Sequence, residues 1–440
     1  MWTYHADLLA RPVPRYTSYP TAAEFHDAVG PEDMAAALDQ VGMDDAVSLY
    51  VHIPYCRDIC WYCGCNTGAA NRAARLHAYL DRLGEEIDLV ADRLGARGRI
   101  GRIAFGGGSP NAIPPAAFAR LVSQLVQRFR CDDVVLSAEI DPRGFDAEWA
   151  AVLADTGVTR ASLGVQTFDP AVQAAIGRVQ PHAEIVRTTQ LLRQAGVTSI
   201  NFDLMYGLPG QDAAILADTL AETLALAPDR LAVFGYAHVP HLIPRQRRID
   251  ATALPDARQR FGQAALAHRM LTDAGYRGVG FDHFARPDDA LARAAEAGTL
   301  RRNFQGFTED PADILIGLGA SAISQFPDRL LQNEKNTGRY HLALNHRGFA
   351  TARGLRRSAE DRVRGRAIEA LLTRGTADLG SVPGLGTVRD RIHPFEPAGL
   401  VAWEGTTLSL MPDALPYARG IAATLDTYRD QAPNRFSNAV

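Results

Sequence analysis

Lysine is almost absent from this chain of 440 residues: Lys335 is the only one, so the 46 basic residues are nearly all arginine. That removes a lysine nucleophile or Schiff base from the default catalytic groups. A charge excess is missing too. The 46 basic residues face 50 acidic ones, and a net −4 exerts no general pull on nucleic acid or an acidic membrane. No run of 18 apolar residues occurs, so no transmembrane helix is expected. Met1 to Pro20 lacks the basic start and apolar core of a signal peptide, and we expect a cytoplasmic protein. The dinucleotide fingerprint G-x-G-x-x-G does not follow the first strand-like run. Cysteine is scarce at five, yet Cys56, Cys60, Cys63 and Cys65 crowd into ten residues, with Cys131 alone. With no export signal, such a crowd points to a metal or redox site before disulfides. An apolar fraction of 47% with 22% charge excludes a disordered chain.

At roughly 150 residues per domain, the length suggests about three domains or one large barrel with appendages. Residues 1–45 read as an arm broken by Pro12, Pro14 and Pro20, with a short helix at 31–41. From residue 46, apolar strand-like runs alternate with helical patterns. The strands are Val47–Ile53, Ile103–Phe105, Val135–Ile140, Arg160–Val165, Ile200–Met205 and Leu231–Tyr236; helices fall at 75–95, 115–130, 145–156, 181–195 and 212–227. Such alternation means parallel strands with right-handed crossovers. The expected α/β fold is an incomplete (β/α)6 barrel over 46–285, with a doubly wound sheet as its rival. A barrel extension at 286–349 and a smaller, mostly helical or winged C-terminal cap at 350–440 follow, the cap ending in a helix over 417–430.

Barrels of this kind carry their chemistry at the C-terminal strand ends. The unusual residues fall there in register: the cysteine loop after the first strand, Gly106-Gly107-Gly108-Ser109 after the second, Glu139 and Asp141 at the third, Gln166 at the fourth, Asp203 and Tyr206 at the fifth, Ala237 and His238 at the sixth. Cys56-x3-Cys60-x2-Cys63 supplies three thiolates, which leave one iron of a [4Fe–4S] cluster open for a ligand. The alternative is a zinc site on all four loop cysteines, although structural zinc usually takes two separated pairs. Trp61 and Tyr62 either shield a cluster from water or pack the loop. The glycines let a ligand approach the backbone, or are simply a turn. Glu139 and Asp203 could accept hydrogen bonds from ribose hydroxyls, with salt bridging as the alternative. Arg178 could pair a cofactor carboxylate bidentately, or lie exposed on a helix.

The loop in its context, Tyr50-Val51-His52-Ile53-Pro54-Tyr55-Cys56 and on to Cys65, resembles the radical S-adenosylmethionine (SAM) enzymes. More narrowly, the chain is similar to the oxygen-independent coproporphyrinogen III oxidases of haem biosynthesis. Cys63-Gly64-Cys65, the arm motif Pro14–Pro20, Asp203–Pro209, Tyr236-Ala237-His238, His283–Pro287 and Asn303–Gly306 carry that likeness. It covers about residues 12 to 335 and thins afterwards.

The resemblance implies a [4Fe–4S] cluster on Cys56, Cys60 and Cys63, with SAM on the open iron. It implies reductive SAM cleavage and radical decarboxylation of two propionate side chains of coproporphyrinogen III to vinyl groups, giving protoporphyrinogen IX. Tyr50, Gly107, Glu139, Ala237 and Ile323 would hold a first SAM; Tyr62, Gly108, Ser109, Gln166, Arg178 and Asp203 would hold a second. Tyr50, Glu139, Asp203 and Arg178 are counted as catalytic. The family's usual threonine is Ser109 here, which keeps the hydroxyl. A monomer served by a flavodoxin or ferredoxin is expected. For the four substrate carboxylates the candidate anchors are Arg15, Arg286, Arg302 and the run Arg245, Arg247, Arg248, the run reading first as a solvated turn. His238 and His283 could handle protons or carboxylates. The other readings of the fold are a haem-binding chaperone, a radical SAM methyltransferase or a haem-degrading enzyme; chaperone-like relatives usually lack both Cys63-Gly64-Cys65 and the proline arm.

Overall fold

Six apolar runs form strands because little of either face reaches water: in β1 (Ala46–Ile53) only Ala46 is exposed. The computed structural model describes residues 2–345 and 348–429. The next five strands are β2 (Arg99–Gly107), β3 (Cys131–Ile140), β4 (Val158–Gln166), β5 (Ser199–Tyr206) and β6 (Arg230–Gly235). Each pairs in parallel with the one before it. β2 starts at Arg99, earlier than its apolar run, and a register irregularity at Ile100/Arg102 absorbs the charged residues that interrupt the pattern.

Helices α1 (Ala73–Leu94), α2 (Pro115–Arg128), α3 (Ala147–Thr156), α4 (His182–Gln194) and α5 (Ala213–Leu226) make the crossovers. In α1, Leu76, Tyr79, Leu80, Leu83, Ile87 and Val90 recur at helical spacing and are buried. Asp146 and Asp212 cap α3 and α5 through Trp149 N and Ile215 N.

The sheet continues beyond this unit on both sides. β7 (Arg277–Val279) and β8 (His283–Ala285) add antiparallel strands at β6. At the other side β9 (Ile314–Leu318) lies parallel to β1, followed by antiparallel β10 (Ile323–Phe326), β11 (Arg329–Asn333) and β12 (Thr351–Arg356). The order β12-β11-β10-β9-β1-β2-β3-β4-β5-β6-β8-β7 leaves the ends unjoined. The C-terminal ends of β2 to β6 and the loop that follows β1 nevertheless border one cleft, so the sheet curves around it. At the opposite end, Glu309 meets Arg102, Arg160 and Arg230 from β2, β4 and β6.

The span read as a cap at 350–440 opens with β12, so the sheet reaches six residues into it. Helix Ala359–Arg374, a small sheet of Thr376–Asp378, Thr407–Leu410 and Val401–Glu404, and helix Leu385–Ile392 follow. The helix expected over 417–430 is shorter. It runs Ala418–Ala422 with one tighter turn to Leu425, because Asp426 leaves the helix to accept from Tyr16 Oη at 2.9 Å and Tyr428 N at 2.9 Å. The rest of that span, from residue 430, lies outside the described residues. The same bond ties the arm to the C-terminal region, and Tyr417 Oη adds to it by donating to Thr3 O at 2.6 Å.

Candidate active site

The cysteine loop is held as a unit. Tyr55-Cys56 pairs with Gly68-Ala69 across its neck. Gln246 Nε2 donates to Tyr62 O at 2.9 Å and to Ala237 O at 3.0 Å, clipping the loop to the chain beyond β6. Cys56, Cys60 and Cys63 all line the cleft, whose volume is about 520 Å³.

The three thiols differ. Burial, followed by Cys63, pushes Cys56 up to about 12. Cys63 is drawn down to about 6, chiefly because the Cys65 thiol hydrogen-bonds to it; burial opposes this, and the Cys65 N–H, donating at 3.4 Å, reinforces it. Cys60 Sγ accepts from Arg178 Nη1 at 3.2 Å and Arg143 Nη2 at 3.4 Å.

The glycines at the end of β2 are required by the protein's own atoms. A Cβ on Gly106 would sit 2.5 Å from Glu139 Oε1, and one on Gly108 would sit 2.4 Å from Tyr55 O. Gly107 has φ +108°, and its Cβ would meet the His52 ring at 2.5 Å. The glycines thus let the loop and Glu139 close onto the strand end, while Gly107 and Gly108 still border the cleft.

Glu139 and Asp203 are two of the carboxyls that border the cleft. Glu139 accepts from Gly107 N at 3.2 Å, and burial, followed by Asp203, raises it to about 7. Asp203 accepts from Ser162 Oγ at 2.9 Å and Asn201 Nδ2 at 2.8 Å; burial lifts it above the usual carboxylate range. Gln166, at the end of β4, has φ +67°, a conformation rare outside glycine, and borders the cleft with them.

Arg178 is buried, with every guanidinium nitrogen engaged. Nη2 donates to Gly164 O at 2.6 Å and Asp141 Oδ1 at 3.2 Å, Nε to Gln180 Oε1 at 3.0 Å, and Nη1 to Cys60. Asp141 also accepts from Arg143 Nη2 at 2.7 Å; against burial, Arg178 and Arg143 hold its carboxyl low. A bidentate grip on a cofactor carboxylate by Arg178 would have to displace these partners.

Of the residues singled out from sequence, Cys56, Cys60, Cys63, Tyr62, Gly107, Gly108, Glu139, Gln166, Arg178, Asp203 and Ala237 border the cleft together. Tyr50, Ser109 and Ile323 do not. Tyr50 lies within β1, its hydroxyl 3.4 Å from His52 Nδ1. The Ser109 hydroxyl donates to Asn111 Oδ1 at 2.6 Å. Ile323 begins β10, beyond β9. Trp61 packs on Gly177, with Arg248 5.9 Å from its ring centre. Arg245 Nη1 donates to Thr67 Oγ1 at 3.0 Å and so braces the cysteine loop, while Arg247 and Arg248 are exposed, as in a solvated turn. Arg286 is committed to Pro228 O and Ala227 O, whereas Arg15 borders the cleft. His238 Nδ1 pairs with Tyr236 Oη at 2.9 Å and His283 Nδ1 with Asp282 at 2.6 Å, and neither histidine lines the cleft. Arg143 and Gln246 were not foreseen; each is one common polar residue whose partner is far along the chain.

Residues 50–222 match the family model of the radical SAM superfamily. Over 437 residues the chain is 42% identical to an oxygen-independent coproporphyrinogen III oxidase of Bradyrhizobium diazoefficiens, covering 97% of both chains. A protein of the same description from Pseudomonas aeruginosa is 43% identical over 376 residues, covering 84% of this chain and 82% of that one. The structure of coproporphyrinogen III oxidase from Escherichia coli, described as a radical SAM enzyme, superposes with a TM-score of 0.90 at 34% identity, covering 97% of this chain and 99% of that one.

Proposed function

The chain belongs to the oxygen-independent coproporphyrinogen III oxidases, within the radical SAM superfamily, and we propose on that basis which of its residues carry the reaction. The enzyme oxidatively decarboxylates coproporphyrinogen III in haem biosynthesis. Each propionate that reacts loses a hydrogen atom, CO2 and one electron and becomes a vinyl group. The cofactors are a [4Fe–4S] cluster and SAM, which together supply the radical that takes that hydrogen.

The donor set fits the cluster. Three thiols from one loop open into one cleft, two arginines donate toward one of them, and Cys65 donates toward another. Cys56, Cys60 and Cys63 would hold it, with release of the Cys56 proton on binding. Glu139 and Asp203, which border the cleft, would accept from the hydroxyls or ammonium of SAM. Arg178 and Arg143 position Cys60 and Asp141. Gly107 and Gly108 offer backbone groups at the cleft, and Gln166 and Tyr62 contribute to its wall.

Eleven of the fourteen site residues read from sequence share the cleft, which supports binding of SAM beside the cluster there, and a second SAM would match the second decarboxylation. Tyr50, within β1 and outside the cleft lining, would support the site from the strand. The electron would come from a flavodoxin or ferredoxin, and the reduced thiols suit a monomer in the cytoplasm. No helix of the described residues is long and apolar enough to cross a membrane.

The observation that carries the reading is the meeting of three loop thiols with Glu139 and Asp203 in one cleft. Anaerobic incubation of the iron-loaded protein with coproporphyrinogen III, SAM and a reductant, followed by chromatography, tests it. Protoporphyrinogen is expected; SAM cleavage with the substrate unchanged would move the protein to other radical chemistry.

A further inference from the structure

The cysteine loop has an outer side. Ile59, Cys60, Tyr62, Cys63, Gly64 and Cys65 line the cleft, and Trp61 alone of this stretch does not. Its indole turns to Gly177, where a Cβ would lie 2.6 Å from the ring, and its backbone N–H donates to Ile176 O at 3.0 Å. The residue stays partly exposed. Two segments flank the loop and are tied to it. Arg178 of the first donates to Cys60 Sγ; Gln246 of the second donates to Tyr62 O, and Ile243 packs on Gly64.

Each flanking segment puts a large apolar side chain into water. Val179 is 62% exposed and Leu242 56%, and neither borders the cleft. Arg247 and Arg248, on the second segment, are exposed as well. Arg248 lies 5.9 Å from the Trp61 ring centre, and neither arginine forms an ion pair among the described residues. Arg57, also exposed, donates to Gly144 O at 3.3 Å, with Glu184 accepting from Gly144 N at 3.3 Å. Residues 56–65 and 241–250 together hold four arginines and two aspartates. Of the two, Asp58 borders the cleft and Asp250 accepts from Thr252 N and Oγ1. The outer side is thus locally positive on a chain of net negative charge.

Cleavage of SAM takes one electron from outside the chain, and the cleft is the space for SAM and substrate. The electron therefore enters through the wall of the cleft, and beside the ligand thiols that wall is this loop. We propose that the face built by Trp61, Val179, Leu242, Arg247 and Arg248 docks an acidic one-electron carrier protein, which reduces the cluster across the cysteine loop. The proposal rests on the radical reading given above. In the step the carrier is oxidised by one electron and the cluster reduced by one, and no bond or proton changes place. Aromatic and arginine side chains are enriched at protein contacts, and transient redox encounters need only a small contact. The guanidiniums attract an acidic partner from a distance and orient it, and Val179 and Leu242 lose water on contact. Arg247 and Arg248, which brace nothing within the chain, gain a use by this arrangement.

Stopped-flow absorbance of anaerobic holoenzyme follows cluster reduction by three separate reductants: reduced flavodoxin, reduced ferredoxin and photogenerated deazaflavin radical. The first two are acidic proteins and the third is small and uncharged. In the wild type, reduction by at least one of the proteins should slow about tenfold between about 20 mM and about 200 mM salt. Arg247→Glu combined with Arg248→Glu should slow that reduction about tenfold or more at low salt and flatten its salt dependence, with the deazaflavin rate unchanged. Val179→Ser combined with Leu242→Ser should slow it severalfold and leave the salt dependence intact. Arg366→Glu, an exposed arginine on the helix Ala359–Arg374, should change none of these rates. Unchanged carrier-driven rates in either double variant, equal slowing with deazaflavin, or no reduction of the wild type by either protein overturns the proposal. A cluster that the carrier reduces through this face, with SAM left intact, overturns the radical reading and leaves the docking face standing.

Discussion

The backbone N–H of Cys65 donates to Cys63 Sγ at 3.4 Å, and the Cys65 thiol bonds to the same sulfur. This gives a physical role to a cysteine whose spacing does not suit a fourth ligand: it steadies the ligand beside it. Cys65→Ala should therefore keep most of the iron, while activity falls about 10–100-fold, as for other outer partners of metal ligands. Iron and sulfide assays beside turnover check this. Loss of all iron would make Cys65 a ligand instead.

Cys56→Ala, Cys60→Ala and Cys63→Ala should each abolish the brown chromophore and SAM cleavage. Cys131→Ser should do neither, because Cys131 opens β3 away from the cleft. An intact cluster in any of the first three would remove that residue from the ligand set.

Arg178→Lys should keep its charge and lose its grip. One ammonium cannot span Cys60, Asp141, Gly164 O and Gln180 as the fork does. We expect a fall of about 100-fold in kcat/KM, on the scale of a misplaced catalytic geometry, with iron content retained. Activity within threefold of wild type would show that only the charge matters.

The six strands and the cysteine loop were legible because apolar runs and cysteine spacing are local signals. β7 to β12 were not, since they are short and their pairing is set by distant neighbours. Arg178 was legible as a site residue through the family resemblance but not in its manner of acting: its guanidinium chemistry suggested a grip on a ligand carboxylate, and the fold commits it to Asp141 and Cys60. The closeness of the arm to the C-terminal region carries no local signal at all, and it is what brings Arg15 beside Arg419.

Gly107→Ala should cost about 1–3 kcal/mol, the scale of a residue forced into a sparsely populated backbone region, because its Cβ would also strike His52. Gly157→Ala, at φ +75° with open space around it, should cost about 1 kcal/mol. Denaturant unfolding measures both. Equal losses would mean that the His52 contact adds nothing.

Two buried carboxylates give opposite pH slopes. Against burial, Arg230, Arg102 and Arg160 hold Glu309 down at about 2, so its stabilisation is present above the ordinary carboxylate range and is lost as pH falls toward 2. Burial raises Glu86 to about 7 although Gly319 N, Asn333 Nδ2 and Tyr340 Oη donate to it. Its contribution is full below about 4.5 and is lost as pH rises to about 7, up to about 3 kcal/mol. Thermal unfolding should show Glu86→Gln flattening the slope between those values and Glu309→Gln flattening the acid limb. An unchanged slope in either variant contradicts the assignment for that residue.

The most direct test is the stoichiometry of carboxyl release. Coproporphyrinogen III labelled in its propionate carboxyls, given anaerobically to the iron-loaded protein with SAM and a reductant, should release two labelled CO2 for each protoporphyrinogen formed, and none without SAM. Cleavage of SAM to methionine with no labelled CO2, or release that persists without SAM, would contradict the account.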